Sequence, residues 1–164
     1  MNSWLRRAAG TAIALGFVAL STTTHAATVV KVELWDQGAG AQMRTDLAYP
    51  AGDAQHAAAT MGVKLSTSRA PAGVVIFQVA NTSKDTVHEM IVVKLADPGK
   101  PLSYDAKAQT LNEDKIGYVG EVEELDPGKS GTLTKPLKAG DYLLICNVAG
   151  HYRAGMYAQL EVTG

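Results

Sequence analysis

The chain has 164 residues with 15 basic and 16 acidic side chains, a formal net charge of -1 that offers no funnel for a polyanion. Its lysines are scattered with no aromatic-basic stripe, which argues against a nucleic-acid binder. No Gly-rich phosphate loop, zinc-protease helix motif or nucleophile elbow is present.

The first segment predicts export. Arg6 and Arg7 precede an apolar or small run from Ala8 to Leu20, and a short polar stretch follows, with Thr24 and Ala26 where a signal peptidase reads. This layout is that of a secretory signal peptide over residues 1–26, cleaved after Ala26. Its 13-residue apolar run is short for a membrane span, so none is expected in the mature chain. The arginine pair matches the twin-arginine export signal only weakly. Removing 26 of the 164 residues leaves 138 with 13 basic and 16 acidic side chains, a charge of -3. That is the size of one ordinary domain, predicted over residues 27–164. A bacterial periplasm is the expected location. The single cysteine cannot make an internal disulfide, so the fold rests on its core.

Val29 to Asp36 alternates apolar and polar positions and predicts a first strand. Residues 37–44 are turn-like. The alanine-rich stretch to Met61, interrupted by Pro50 and Gly52, allows a short helix within 54–61 or an irregular excursion. The pattern then becomes β: strands are predicted over 63–66, 74–81, 87–95, 119–125, 131–137, 142–147 and 156–162. Turns lie at 68–73, 81–85, 97–101 and 126–130, and a short helix is placed near 105–110. Val75, Phe77 and Val79 share one face. Seven or eight short strands between Gly/Pro turns predict an all-β Greek-key sandwich or barrel.

The chemistry gathers in CNVAGHYRAGM, residues 146–156. Cys146 ends an apolar strand, His151 lies in the connecting loop, and Met156 starts the return strand. Two neighbouring strands hold the loop ends together, so thiolate, imidazole and thioether can converge. Gly150 and Gly155 each precede a candidate ligand and permit positive-φ turns. The mature chain has three histidines, His56, His88 and His151. His88 lies on a core-type strand, where a hydrogen-bonded structural histidine is the commoner case; the downstream loop shifts the balance toward a ligand. Cys146, His88 and His151 with a weak axial Met156 form a His₂Cys trigonal set. Thiolate and thioether are soft donors suited to Cu(I), and imidazole also serves Cu(II). Structural zinc wants four strong ligands, and methionine is a poor fourth.

In this loop, in the segment PAGVVIFQVANTSKDTVHEMIVV and in LDPGKSGTLTKPLKAGDYLLIC, the chain resembles the cupredoxins, the type 1 blue copper family, with the spacing of their long-loop, rusticyanin-like members. The resemblance spans Val63 to Val162. It implies one copper per chain, held by His88, Cys146, His151 and Met156, and single-electron transfer between transient redox protein partners. It departs from the family at Glu89, where many members carry Asn; a carboxylate cannot donate the hydrogen bonds of an amide, and Glu89 either replaces it or faces solvent. The Asn147 amide is placed to donate to the loop backbone or toward the thiolate.

Val148, Ala149, Gly150 and Ala154 are expected to form an apolar docking patch, rimmed by Tyr152 and Arg153. Glu121, Glu123 and Glu124 read as a solvated strand face, His56 as a solvent-facing side chain, and Tyr118, Tyr142 and Tyr157 as ordinary sandwich residues. Met43, Met61 and Met90 are expected in packing or surface roles rather than a second metal site. A monomer without enzymatic activity is expected. Two other readings share the sequence: a periplasmic protein for copper tolerance or delivery using the same four ligands, and a metal-free β-sandwich with a buried Cys146.

Overall fold

The computed structural model describes residues 26–38 and 40–164. The predicted signal peptide therefore lies, apart from Ala26, outside the described residues. Among those residues eleven strands form two packed sheets and one small hairpin. The strands are β1 (Thr28–Asp36), β2 (Met61–Leu65), β3 (Arg69–Pro71), β4 (Gly73–Asn81), β5 (His88–Lys94), β6 (Tyr104–Asp105), β7 (Thr110–Leu111), β8 (Tyr118–Leu125), β9 (Ser130–Leu137), β10 (Gly140–Ile145) and β11 (Tyr157–Thr163). One sheet runs β2-β1-β4-β9 and the other β3-β11-β10-β5-β8. Setting aside the short β3, β6 and β7, the remaining eight strands are those expected from the alternation.

The core follows from period-two patterning. Val30, Val32 and Leu34 of β1 and Val75, Phe77 and Val79 of β4 point inward, none more than 2% exposed. They meet Met90 and Val92 of β5, Tyr142 and Leu144 of β10, and Leu160 and Val162 of β11.

The five-stranded sheet is covered on its outer face as well. Ile91, Val93, Leu143, Ile145 and Tyr157 pack there against Tyr49, Leu95, Leu111, Ile116 and Tyr152. This explains why β5 and β10 read as unbroken apolar runs instead of alternating ones. Apart from Tyr152 of the loop before β11, the cover comes from two stretches with little periodicity, 37–60 and 95–117.

Two expectations are corrected in these regions. The helix near 105–110 is instead the β6–β7 hairpin: the Asp105 carboxylate accepts the amides of Lys107 at 2.8 Å and Ala108 at 3.0 Å, so the side chain competes with helical bonding. The expected turn at 68–73 contains β3, which pairs parallel with β11 at the sheet edge, where Pro71 is tolerated. The stretch that allowed either a short helix within 54–61 or an irregular excursion holds one helical turn, Asp53–His56, in otherwise irregular chain. No helix among the described residues is long and apolar enough to cross a membrane.

Candidate metal centre

β5 and β10 are hydrogen-bonded neighbours, with Ile145 opposite Ile91. That register brings His88, the first residue of β5, near Cys146, which directly follows β10. The loop between β10 and β11 then turns back. Gly150 at φ 86° and Gly155 at φ 100° occupy the left-handed region, as expected from their place before the two candidate ligands. The His151 amide donates to Val148 O at 2.9 Å, the Met156 amide to His151 O at 3.1 Å, and the Cys146 amide to Met156 O at 3.0 Å.

Nδ1 of His88 and Nδ1 of His151 are 3.2 Å apart. Cys146 Sγ lies 3.4 Å from His151 Nδ1 and 4.0 Å from His88 Nδ1. Donors sharing a centre at metal–nitrogen and metal–sulfur lengths of about 2.0 and 2.3 Å would stand roughly 3.5 to 3.8 Å apart in a trigonal plane. The three donors therefore fit one ion, and copper suits their chemistry. Cys146, His88 and Met156 are fully buried and His151 is 7% exposed.

Burial pushes the Cys146 thiol up to about 12, despite the amides of Glu89 and Val148. Burial, with help from His88, lowers His151 to about 4. Burial also lowers His88, although Asp36 pulls it the other way. Both imidazoles are thus neutral at neutral pH, leaving nitrogen lone pairs available for a cation.

Three side chains beside the donors were only partly legible. Glu89 lies on the outer face of β5 with Ile91 and Val93. That face is largely covered and Glu89 is half-buried; its Oε1 accepts the Asn147 amide at 2.9 Å, tying β5 to the residue after the cysteine. The Asn147 side chain turns away from the thiol, accepting from the Leu111 amide at 2.6 Å and donating to Leu111 O and Glu113 Oε1. His56 is half-buried instead of fully solvent-facing: it stacks on Tyr157 with ring centroids 4.3 Å apart, and its Nε2 donates to Gly155 O at 2.8 Å.

Burial raises Glu89 to about 7 from an ordinary 4.5, with the Asn147 amide opposing the rise and Glu113, Glu121 and Glu124 adding to it. The folded chain therefore holds this proton more tightly than the unfolded chain. Its stabilising effect is complete below pH 4.5 and lost as pH rises through about 7. Glu89→Gln keeps an acceptor for Asn147 and removes the titration. In urea denaturation of the metal-free protein, the variant should gain stability relative to wild type across that interval; parallel curves would refute the assignment.

The expected docking patch is smaller than the sequence implied. Ala149 is exposed and Val148 and Arg153 are half-buried, but Gly150, Tyr152 and Ala154 are buried. The Tyr152 hydroxyl donates inward to Tyr49 O at 3.2 Å.

A two-sheet Greek-key sandwich with a buried His₂Cys set at one end defines a cupredoxin-type copper protein. The chain belongs to the family of the sulfocyanin (SoxE) domain, whose model matches residues 67–164. No curated protein sequence matches it. Among solved structures it is similar to reduced auracyanin from the photosynthetic bacterium Roseiflexus castenholzii, at 19% identity and a TM-score of 0.50, covering 84% of this chain and 97% of that one. It is also similar to rusticyanin from Thiobacillus ferrooxidans, at 16% identity and a TM-score of 0.53, covering 83% and 77%. At these identities the likeness concerns the fold, which is that of the rusticyanin-type cupredoxins.

Proposed function

We propose that the mature chain, residues 27–164 after removal of a signal peptide over 1–26, is a periplasmic, monomeric single-electron carrier and not an enzyme. His88, Cys146 and His151 would hold the copper, with the Met156 thioether as a fourth, weaker donor. Bound copper supplies a one-electron Cu(II)/Cu(I) couple. The chain's own contribution is to hold the donors still, so that little rearrangement accompanies the change of charge.

The observation that carries this reading is the bracing of the ligand loop from both sides. The Gly150 amide donates to Gln109 O at 2.8 Å, the Leu47 amide to Arg153 O at 2.9 Å, and His56 holds Gly155. A delivery protein must loosen a ligand to release its ion, and this loop is built against that. The surface at Val148 and Ala149, beside His151, is where a transient redox partner would dock.

The test is spectroscopic. Loaded with Cu(II), the protein should bind one ion per chain and show an intense thiolate-to-copper visible band with weak hyperfine splitting in electron paramagnetic resonance. Met156→Leu should keep coloured copper and raise the reduction potential, because one donor to Cu(II) is lost. A colourless Cu(II) complex with tetragonal parameters, or complete loss of copper from a folded Met156→Leu, would overturn the assignment. Rapid copper transfer to an acceptor protein, with a displaced His151 or Met156 in the Cu(I) form, would establish delivery instead.

A further inference from the structure

The alternation that carries Val30, Val32 and Leu34 into the core places Asp36, the next residue of the same parity, on the inner face at the end of β1. Its side chain is 3% exposed, and its Oδ2 lies 2.9 Å from Nε2 of the fully buried His88. The other carboxylate oxygen, Oδ1, accepts the Gly38 amide at 2.7 Å. β1 belongs to one sheet and β5 to the other, so this bond joins the two sheets directly behind the metal centre.

We propose that Asp36 is a positioning and charge-tuning residue for the copper site: its carboxylate fixes His88 with hydrogen on Nε2 and Nδ1 turned to the centre, and lowers the reduction potential. The inference rests on the copper reading above. An ionised carboxylate only accepts hydrogen bonds, so the hydrogen of neutral His88 sits on Nε2 and the lone pair on Nδ1 faces Cys146 Sγ and His151. Drawing that hydrogen toward an anion makes Nδ1 a stronger donor. The buried negative charge also favours the more highly charged ion. Both effects stabilise Cu(II) over Cu(I). Among the described residues no carboxylate pairs with His151, so the two histidines are inequivalent: one is held from behind by an anion, and the other lies toward the surface.

Two measurements test this. In the metal-free wild-type protein, long-range proton–nitrogen NMR of the imidazoles should find the His88 hydrogen on Nε2; finding it on Nδ1 would overturn the proposal. In the copper protein, Asp36→Asn keeps one acceptor oxygen but removes the charge. Its ratio of Cu(II) to Cu(I) affinity should fall about tenfold, an upward shift of about 59 mV for a one-electron couple. Asp36→Ala, which also frees the ring, should in addition lose about 10- to 100-fold in copper affinity, as is usual when an outer partner of a ligand histidine is removed. A coloured, folded Asp36→Asn with the wild-type potential would overturn the charge role even if Asp36→Ala shifts. A wild-type protein without the blue band would instead overturn the copper reading itself, and the tuning role with it.

Discussion

Cys146→Ser should abolish the intense visible band of the Cu(II) protein and weaken copper binding by more than the roughly 10- to 100-fold that loss of an outer partner costs. The thiol is fully buried beside two imidazole nitrogens and receives the Glu89 amide at 3.5 Å. Serine can accept from the same amide, so the metal-free fold should survive and the effect can be read as one on the site. The pKa of about 12 adds a second readout. At neutral pH the free site holds a protonated thiol, and a coordinating thiol gives up its proton. Copper binding to wild type should therefore release about one proton per ion in weakly buffered solution, and Cys146→Ser should release none. An undiminished band in the variant, or no proton release by wild type, would remove Cys146 from the ligand set.

The strands were legible where one face alone is buried. In β1 and β4 the alternation gives both the element and its inward side chains. In β5 and β10 it breaks down, because both faces are covered, yet an apolar run of that length between turns still reads as a strand. The covering stretches were not legible. Tyr49, Leu111 and Ile116 are separated apolar residues with no shared periodicity, and nothing local says that each fills the same outer face.

The proximity of the proposed donors was legible for the opposite reason. Cys146, His151 and Met156 lie within eleven residues, so chain connectivity alone keeps them close, and His88 required only that β5 lie beside β10. The supporting side chains come from farther away. Glu89 and Asn147 stand next to candidate ligands in the sequence, but their partners depend on how the outer face is covered. Asp36 is 52 residues from His88. Its one signal was parity, a carboxylate at the fourth inward position of an otherwise apolar series, which was masked by its place just before a turn. His56 belongs to an excursion whose path no periodicity fixes.

The sandwich precedes the site, because His88 and Cys146 meet only when β5 and β10 pair. Phe77→Ala tests that dependence. Phe77 is wholly buried at the centre of β4, between Val30 of β1 and Leu133 of β9, and it packs in the core shared with Met90, Val92 and Leu144. Truncating it should cost about 3–5 kcal/mol, a large part of the roughly 5–15 kcal/mol that holds a domain together. The metal-free variant should therefore unfold at a much lower denaturant concentration than wild type. Copper binds the assembled donors and not the separated ones, so a free concentration about 1,000 times the dissociation constant adds about 4.1 kcal/mol to the folded state. The copper-loaded variant should recover most of the lost stability and show the wild-type visible band, since its donors sit on the opposite sheet. Denaturation curves with and without copper decide the matter. A copper-loaded variant no more stable than the metal-free one would mean that the ion does not depend on the folded arrangement of His88, Cys146, His151 and Met156.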